Sequence, residues 1–507
     1  MNRSFPLVLT LGVLALSACG AEANYTLRLR PVVPLNQEPF KDGPHVFISV
    51  QDPEVDTEWF DLNTLSAGSG TVQSGGFGPL SNDRIAVALT VGEDPEDAPN
   101  DLIAFGASTP LTLGVGGAEA DVGVLIAELD GAGGLTTLEQ PAFGAAIAVL
   151  DSGRVYAFGG IRIQGGECER TVRRLSSLNE GEWTFERLNV ELPEGVCYAQ
   201  ATVMQIEGKE MIVITGGEKS YNAHTSRSNR ATVFDPETQS IVGTTTGTYS
   251  RARHAVGMLP DGNLLLVGAH QITSVGPNSA TWEVLDPSGP TFGAYGTVES
   301  APWDFMSAPL PGGLAICGGG QWVRDNITPL SACTTLMGDG SNTALPALPW
   351  QLRAGTMARL RDGRLVVAGG ITDSGTAGSN LDGVKAAFIL DLEADPLRWE
   401  RLPDMNEARA YATGFADSQG GMVVIGGAEK AWGFGGSPTG VHECGERLIF
   451  EEGEARWELM STCGEGGTGV NLGIGLHDGY GAVLLQGRAG STGGGSSVAI
   501  VPRGPRY

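Results

Sequence analysis

The sequence predicts an all-β chain made mostly of one repeated four-stranded antiparallel unit. Three observations predict it. Short runs of β-branched and aliphatic residues end in paired glycines at near-constant intervals, as in "RLVVAGG" at 364–370. Each run is led in by a tight turn and an earlier short strand, the pattern of a hairpin. Glycine makes up 76 of 507 residues against only 7% aromatics, a composition that implies many turns and therefore many short strands.

Along the chain, the first element is an export signal. Arg3 supplies a short basic region and Phe5 to Leu16 an apolar stretch too short to span a membrane. "LSAC" at 16–19 follows. It resembles the bacterial lipobox, which implies a signal peptide over 1–18, cleavage before Cys19 and lipidation of that cysteine. Gly20 lacks the acidic inner-membrane retention signal, so the expected location is the cell envelope, lipid-anchored at the outer membrane.

Residues 19–130 then form a lipidated cysteine, a short tether and a β-sandwich-like domain. "YTLRLR" (25–30) alternates apolar and polar positions, and "RIAVALTV", "LIAFGA" and "VGVLIAEL" follow. The acidic run "GEDPEDAPND" (92–101) reads as a solvated loop, since it lacks the alternating Asp and Gly of a calcium loop.

The repeat occupies the remainder, 131–507. First glycines stand at 159, 216, 268, 318, 369 and 426, with a weaker copy at 487, at intervals of 50 to 61 residues. Lead-in turns include "DSGR" at 151, "PDGN" at 260, "RDGR" at 361 and "HDGY" at 477. Later strands carry Trp183, Trp282, Trp399 and Trp457, and "RARHA" and "EARAYA" place a basic "AR" before a first strand. In these features the chain resembles the kelch-type β-propeller family. The resemblance implies a seven-bladed propeller of four-stranded blades preceded by the small sandwich. Ala269 and Arg488 depart from the double glycine, so irregular blades are expected there. The last copy lacks its own Trp strand, and "GGLTTLEQ" (133–140) is expected to complete it and close the ring.

Charge and cysteine content narrow the function. A formal charge of −26 repels phosphate backbones, which argues against nucleic acid and leaves the lipid as the membrane contact. Cys19 apart, six cysteines remain, an even number in an exported chain. Propeller topology brings sequence neighbours together, so the expected disulfides are Cys168–Cys197, Cys317–Cys333 and Cys444–Cys463.

Blade entries and the long loops between second and third strands share the top face, where ligands are expected to bind. The candidate ligand-binding residues are Arg253, His254, His270, Arg353, Arg409 and Tyr411, forming a basic and aromatic mouth in an acidic protein. No metalloprotease, phosphate-loop, nucleophile-elbow or sialidase signature is present. Kelch proteins include galactose oxidase, with copper on His and Tyr and a Cys–Tyr cross-link. Six paired cysteines leave none for that cross-link, so no cofactor or metal site is expected. The sequence therefore reads as a binding module for a protein or glycan. The alternative is a carbohydrate-active enzyme of the sugar oxidase or sialic acid mutarotase type.

Overall fold

The computed structural model describes residues 26–501 apart from several segments. The longer ones are 52–58, 62–79, 92–101, 114–118, 162–165, 221–225, 269–279, 299–303, 433–438, 461–472 and 488–495. Cys19, His270, Cys444 and Cys463 lie outside the described residues, as do Ala269 and Arg488.

Every regular element among the described residues is a strand, and successive four-stranded sheets build a β-propeller. Seven four-stranded antiparallel sheets follow one another among the described residues. In the first, Ala146–Val149, Val155–Phe158, Thr171–Leu175 and Phe185–Glu191 form a meander from the inside outward. The innermost strands stand side by side in order: Ala146–Val149, Gln200–Ile206, Ala255–Met258, Met306–Leu310, Thr356–Arg359 and Thr413–Ala416. Gly473–His477 then packs against Ala146–Val149, returning the chain to its start. The last sheet takes its outer strand from Gly133–Leu138, which pairs antiparallel with Ser496–Val501.

The double glycine is an inter-blade joint. At Gly369 and Gly370 the two N–H groups diverge: the first donates to Ala386 just before the third strand (2.9 Å), the second to Arg409 at the next blade's entry (2.8 Å). Both glycines have positive φ, 67° and 109°, and a Cβ on Gly369 would collide with the Arg409 carbonyl. The same joint recurs at Gly159 and Gly160 against Val196, and at Gly318 and Gly319 against Leu352. One glycine serves the sheet and the other the neighbouring blade.

Apolar layers fill the space between consecutive blades. Phe158, Ile212, Ile214 and Phe234 join the first two, and Met357, Val367 and Phe388 pack with Met306 and Ala315 further round. The fourth-strand tryptophans reach backward: Trp399 donates to the Pro346 carbonyl (2.9 Å) and Trp457 to that of Pro403 (3.1 Å). Each indole thus buries its ring between blades while satisfying its N–H.

The sandwich expected ahead of the ring resolves into one mixed sheet of seven strands. Thr26–Val32 runs parallel to Glu119–Glu128, and the long strand Leu80–Thr90 pairs with Leu102–Ala107 and His45–Gln51 along its second half. The start of that strand pairs instead with Leu111–Leu113, so one strand serves two sets of partners. This sheet also docks on the ring. Val32, Leu125 and Ala127 share a core with Leu135, Ala145, Ile147 and Ile500, and Arg84 reaches the Asp151 carbonyl in the first blade's turn (3.4 Å).

Candidate functional site at the top mouth

Six blade entries among the described residues each carry one residue in the left-handed region: Gly144, Tyr198, Arg253, Asp304, Ala354 and Tyr411. Their backbones form a relay from blade to blade. Tyr198 N–H donates to Gly144 (2.6 Å), Arg253 to Tyr198 (3.0 Å), Ala354 to Asp304 and Tyr411 to Ala354 (both 2.7 Å). Five of the six are not glycine, and such strained conformations persist only where surrounding structure enforces them. Here the relay enforces them.

The side chains meet near the ring axis. Arg353 Nη1 donates to Asp304 Oδ2 (2.8 Å) and to the Tyr411 hydroxyl (3.1 Å), while that hydroxyl donates to Asp304 Oδ2 (2.7 Å). The Arg253 guanidinium lies over the Tyr198 ring, 3.7 Å from its centre, and its Nε stands 3.8 Å from Glu218 Oε1. Arg253 also interacts electrostatically with Asp304 and the Tyr411 phenol, and Arg227 with Glu218, Arg253 and Asp304. Groups from blades on different sides of the ring act on one another only where the blades converge. Three guanidiniums and two carboxylates therefore share a small volume.

Burial shapes these groups. It pulls the Arg227 pKa down to about 10, with Glu218 opposing and Arg253 adding to the fall. Burial acts the same way on Arg253 and Arg353, but nearby tyrosines and carboxylates outweigh it and raise both. The Tyr411 phenol is raised, chiefly by burial and then by Asp304, and stays protonated to donate its hydrogen bond.

Two features are unspent. Arg353 is fully buried, yet its Nε and Nη2 have no hydrogen-bond partner, and neither has Oε2 of the buried Glu218. Nε and Nη2 form the edge of a guanidinium that grips a carboxylate with two parallel bonds. Nη1, on the other edge, is already pinned.

The sequence candidates divide accordingly. Arg253, Arg353 and Tyr411 are brought together. Arg409 is not: its Nη1 caps the Gly426 carbonyl (2.7 Å) and its Nε pairs with Glu446 (2.9 Å), both side chains almost fully buried. Arg251 does the same with Gly268 and Glu283, and Arg173 with Gly159 and Glu169. Arg251 and Arg409, each two residues before a left-handed entry residue, and Arg173 from a third strand thus each cap the first glycine of their own blade. His254 also sits below the mouth, 2% exposed, with Nε2 2.8 Å from Thr215 Oγ1 and Nδ1 unpartnered. Burial, then Arg251, holds its pKa well below the usual histidine range.

Sequence reading did not single out Glu218, Arg227 or Asp304. Position in the repeat was the available signal: Asp304 precedes its first strand as Tyr411 does, and Glu218 directly follows a double glycine. Among the described residues no group of three His, Cys, Asp or Glu side chains gathers to hold a metal. A cupric ion would also face three arginines, so the mouth does not fit a copper centre.

Of the expected disulfides, Cys168–Cys197 and Cys317–Cys333 are formed, with Cα atoms 5.5 and 4.1 Å apart. The third pair lies outside the described residues.

No protein-family model matches this chain, and no curated protein does. Solved structures do. A fungal alcohol oxidase of the AA5 family, in complex with copper, is 17% identical with a TM-score of 0.51, covering 72% of this chain and 76% of that one. YjhT is 13% identical with a TM-score of 0.43, covering 64% of this chain and 99% of that one. At such identities the likeness to the oxidase shows the fold and leaves the chemistry to the residues.

Proposed function

We propose that the top mouth binds a small ligand, or the end of a glycan, that carries a carboxylate, and that this chain is a binding propeller. The observation that carries the reading is the buried Arg353, with Nη1 fixed by Asp304 and Tyr411 and its Nε and Nη2 edge unpartnered. A planar oxyanion satisfies that edge. Glu218 Oε2 then accepts from a hydroxyl or amide of the same ligand.

Calorimetric titration with glucuronate and N-acetylneuraminate, against neutral galactose, tests it. The acids bind and galactose does not, and Arg353→Lys weakens binding about 10- to 150-fold, the scale of a hydrogen bond to a charged group. Equal binding of acid and neutral sugar, or an unaffected Arg353→Lys variant, refutes the reading.

One observation favours a catalytic variant of the same site. The Tyr411 hydroxyl, donating to Asp304 beneath Arg353, can pass a proton to and from a bound sugar. That supports acid–base chemistry of the mutarotase type over copper oxidation. Exchange between sugar anomers, followed by NMR with wild type and Tyr411→Phe, decides it.

We further propose that Cys19 carries a lipid and holds the protein at the outer membrane, on the strength of "LSAC" after a short apolar stretch. No helix long and apolar enough to cross a membrane occurs among the described residues. Palmitate labelling of wild type and its loss in Cys19→Ser test the anchor; unlabelled wild type refutes it.

A further inference from the structure

The two disulfides do different mechanical jobs. Cys317 and Cys333 face each other across neighbouring strands of one blade, in a ladder whose backbone pairing already aligns them. Cys168 belongs to the top loop of the first blade, whereas Cys197 stands at the entry of the second, one residue before Tyr198. That bond crosses between blades, directly behind the mouth.

The segment bearing Glu218 hangs from both of its halves. Cys197 and Glu218 exchange backbone hydrogen bonds in both directions (2.9 and 2.7 Å), and Cys168 N–H donates to the Lys219 carbonyl (3.0 Å). Glu167 bridges to Ser220 beside it, and Glu218 bridges onward to Arg227. Ile161, both cysteines and Tyr198 form one buried cluster, with the Arg253 guanidinium over the ring of that tyrosine. Glu218, Arg227, Tyr198 and Arg253 thus take their positions from a frame that one covalent bond closes.

We propose that the Cys168–Cys197 disulfide is a positioning lock for the mouth, and that opening it lowers ligand affinity while the ring stays folded. The consequence for affinity rests on the carboxylate-binding reading; the mechanical claim does not. Opening is a two-electron exchange with a dithiol. The Cys168–Cys197 bond breaks, the dithiol closes its own disulfide, and its two protons pass to the cysteine thiols. Without the bond, Glu218 and Lys219 lose the covalent tie between Cys168 and Cys197, the two residues their backbones pair with, and those pairings open more often.

Two readouts on the full-length protein test the lock. In hydrogen exchange, Cys168→Ser/Cys197→Ser, or wild type treated with dithiothreitol, exchanges the amides of Cys197, Glu218 and Lys219 at least 10-fold faster. The strands Met422–Ile425 and Leu365–Ala368 keep their protection. Glucuronate affinity falls at least 10-fold and returns on reoxidation of the wild type, whereas Cys317→Ser/Cys333→Ser changes neither readout. Unchanged exchange around Glu218 overturns the proposal, as does loosening of the whole ring together. If oxidised wild type binds no acidic sugar, the ligand reading fails, and the exchange experiment still decides the lock.

Discussion

At the scale of single residues, the buried ionisable groups separate into those that hold the ring and those left over. Arg409 illustrates the first kind. Glu446 accepts from its guanidinium and from the Asn406 and Glu407 backbones, so the pair is fully satisfied inside the blade. Arg409 and Arg253 both precede a first strand, but the two differ in register by two positions. Arg251–Ala252–Arg253 aligns with Arg409–Ala410–Tyr411, so Arg251 is the counterpart of Arg409 and Arg253 that of Tyr411. The partner that gives a capping arginine its role lies 32 residues on at Glu283, or 37 on at Glu446. Spacing along the chain does not reveal it.

His254 yields a pH prediction at this scale. Its pKa is depressed by burial and by Arg251, so the unfolded chain takes up a proton below about 6.5 that the folded chain refuses. The folded-state advantage is therefore complete above about 6.5 and declines as pH falls towards the depressed value. The slope for one proton is about 1.4 kcal/mol per pH unit. Urea midpoints measured between pH 7 and 5 fall more steeply for wild type than for His254→Gln, which keeps a polar contact towards Thr215. Parallel curves would show that His254 protonates in the folded state.

Among the elements, the double glycine was legible in the sequence because its cause is local and repeated. Its detailed reason was not, since the carbonyl that excludes a Cβ belongs to the next blade, 40 residues away at Arg409. The same distance hid the short strands on the top face. Gly320–Val323 and Asn326–Pro329 join Gly375–Thr376, and Asn380–Asp382 joins Ala428–Trp432 and Thr439–Val441. These strands tie the long loops of successive blades together, a pairing that no hairpin pattern within one copy announces. A pair of substitutions separates the two costs of a side chain at a glycine. Gly369→Ala meets both a positive φ and the Arg409 carbonyl, whereas Gly453→Ala, at φ 86°, meets open space. The first destabilises by about 3 kcal/mol or more and the second by about 1 kcal/mol, from the usual cost of a strained φ with and without collision. Equal denaturant midpoints for the two variants would remove the carbonyl from the explanation.

Across the whole molecule, the division into an N-terminal domain and a ring, drawn at residue 130, crosses a single core. Val32, Leu125 and Ala127 on one side pack with Leu135, Ala145, Ile147 and Ile500 on the other. Leu35 N–H donates to the Gly134 carbonyl (2.8 Å), and a Cβ on Gly133 would meet Pro34 at 2.5 Å. The closing strand is thus clamped between Ser496–Val501 and the segment that precedes the ring. Two truncations follow from this arrangement. A chain starting at 131 keeps Gly133–Leu138 but uncovers Leu135 and Ile500, at a cost of about 1.5–3 kcal/mol for each large side chain returned to water. It stays monomeric with a lower urea midpoint. A chain starting at 141 also lacks the closing strand, which leaves Ser496–Val501 as an open edge with unpaired backbone groups able to recruit another chain. Light scattering then shows association for the second truncation and not the first. If both behave as wild type, the N-terminal sheet is an appendage and the ring closes without it.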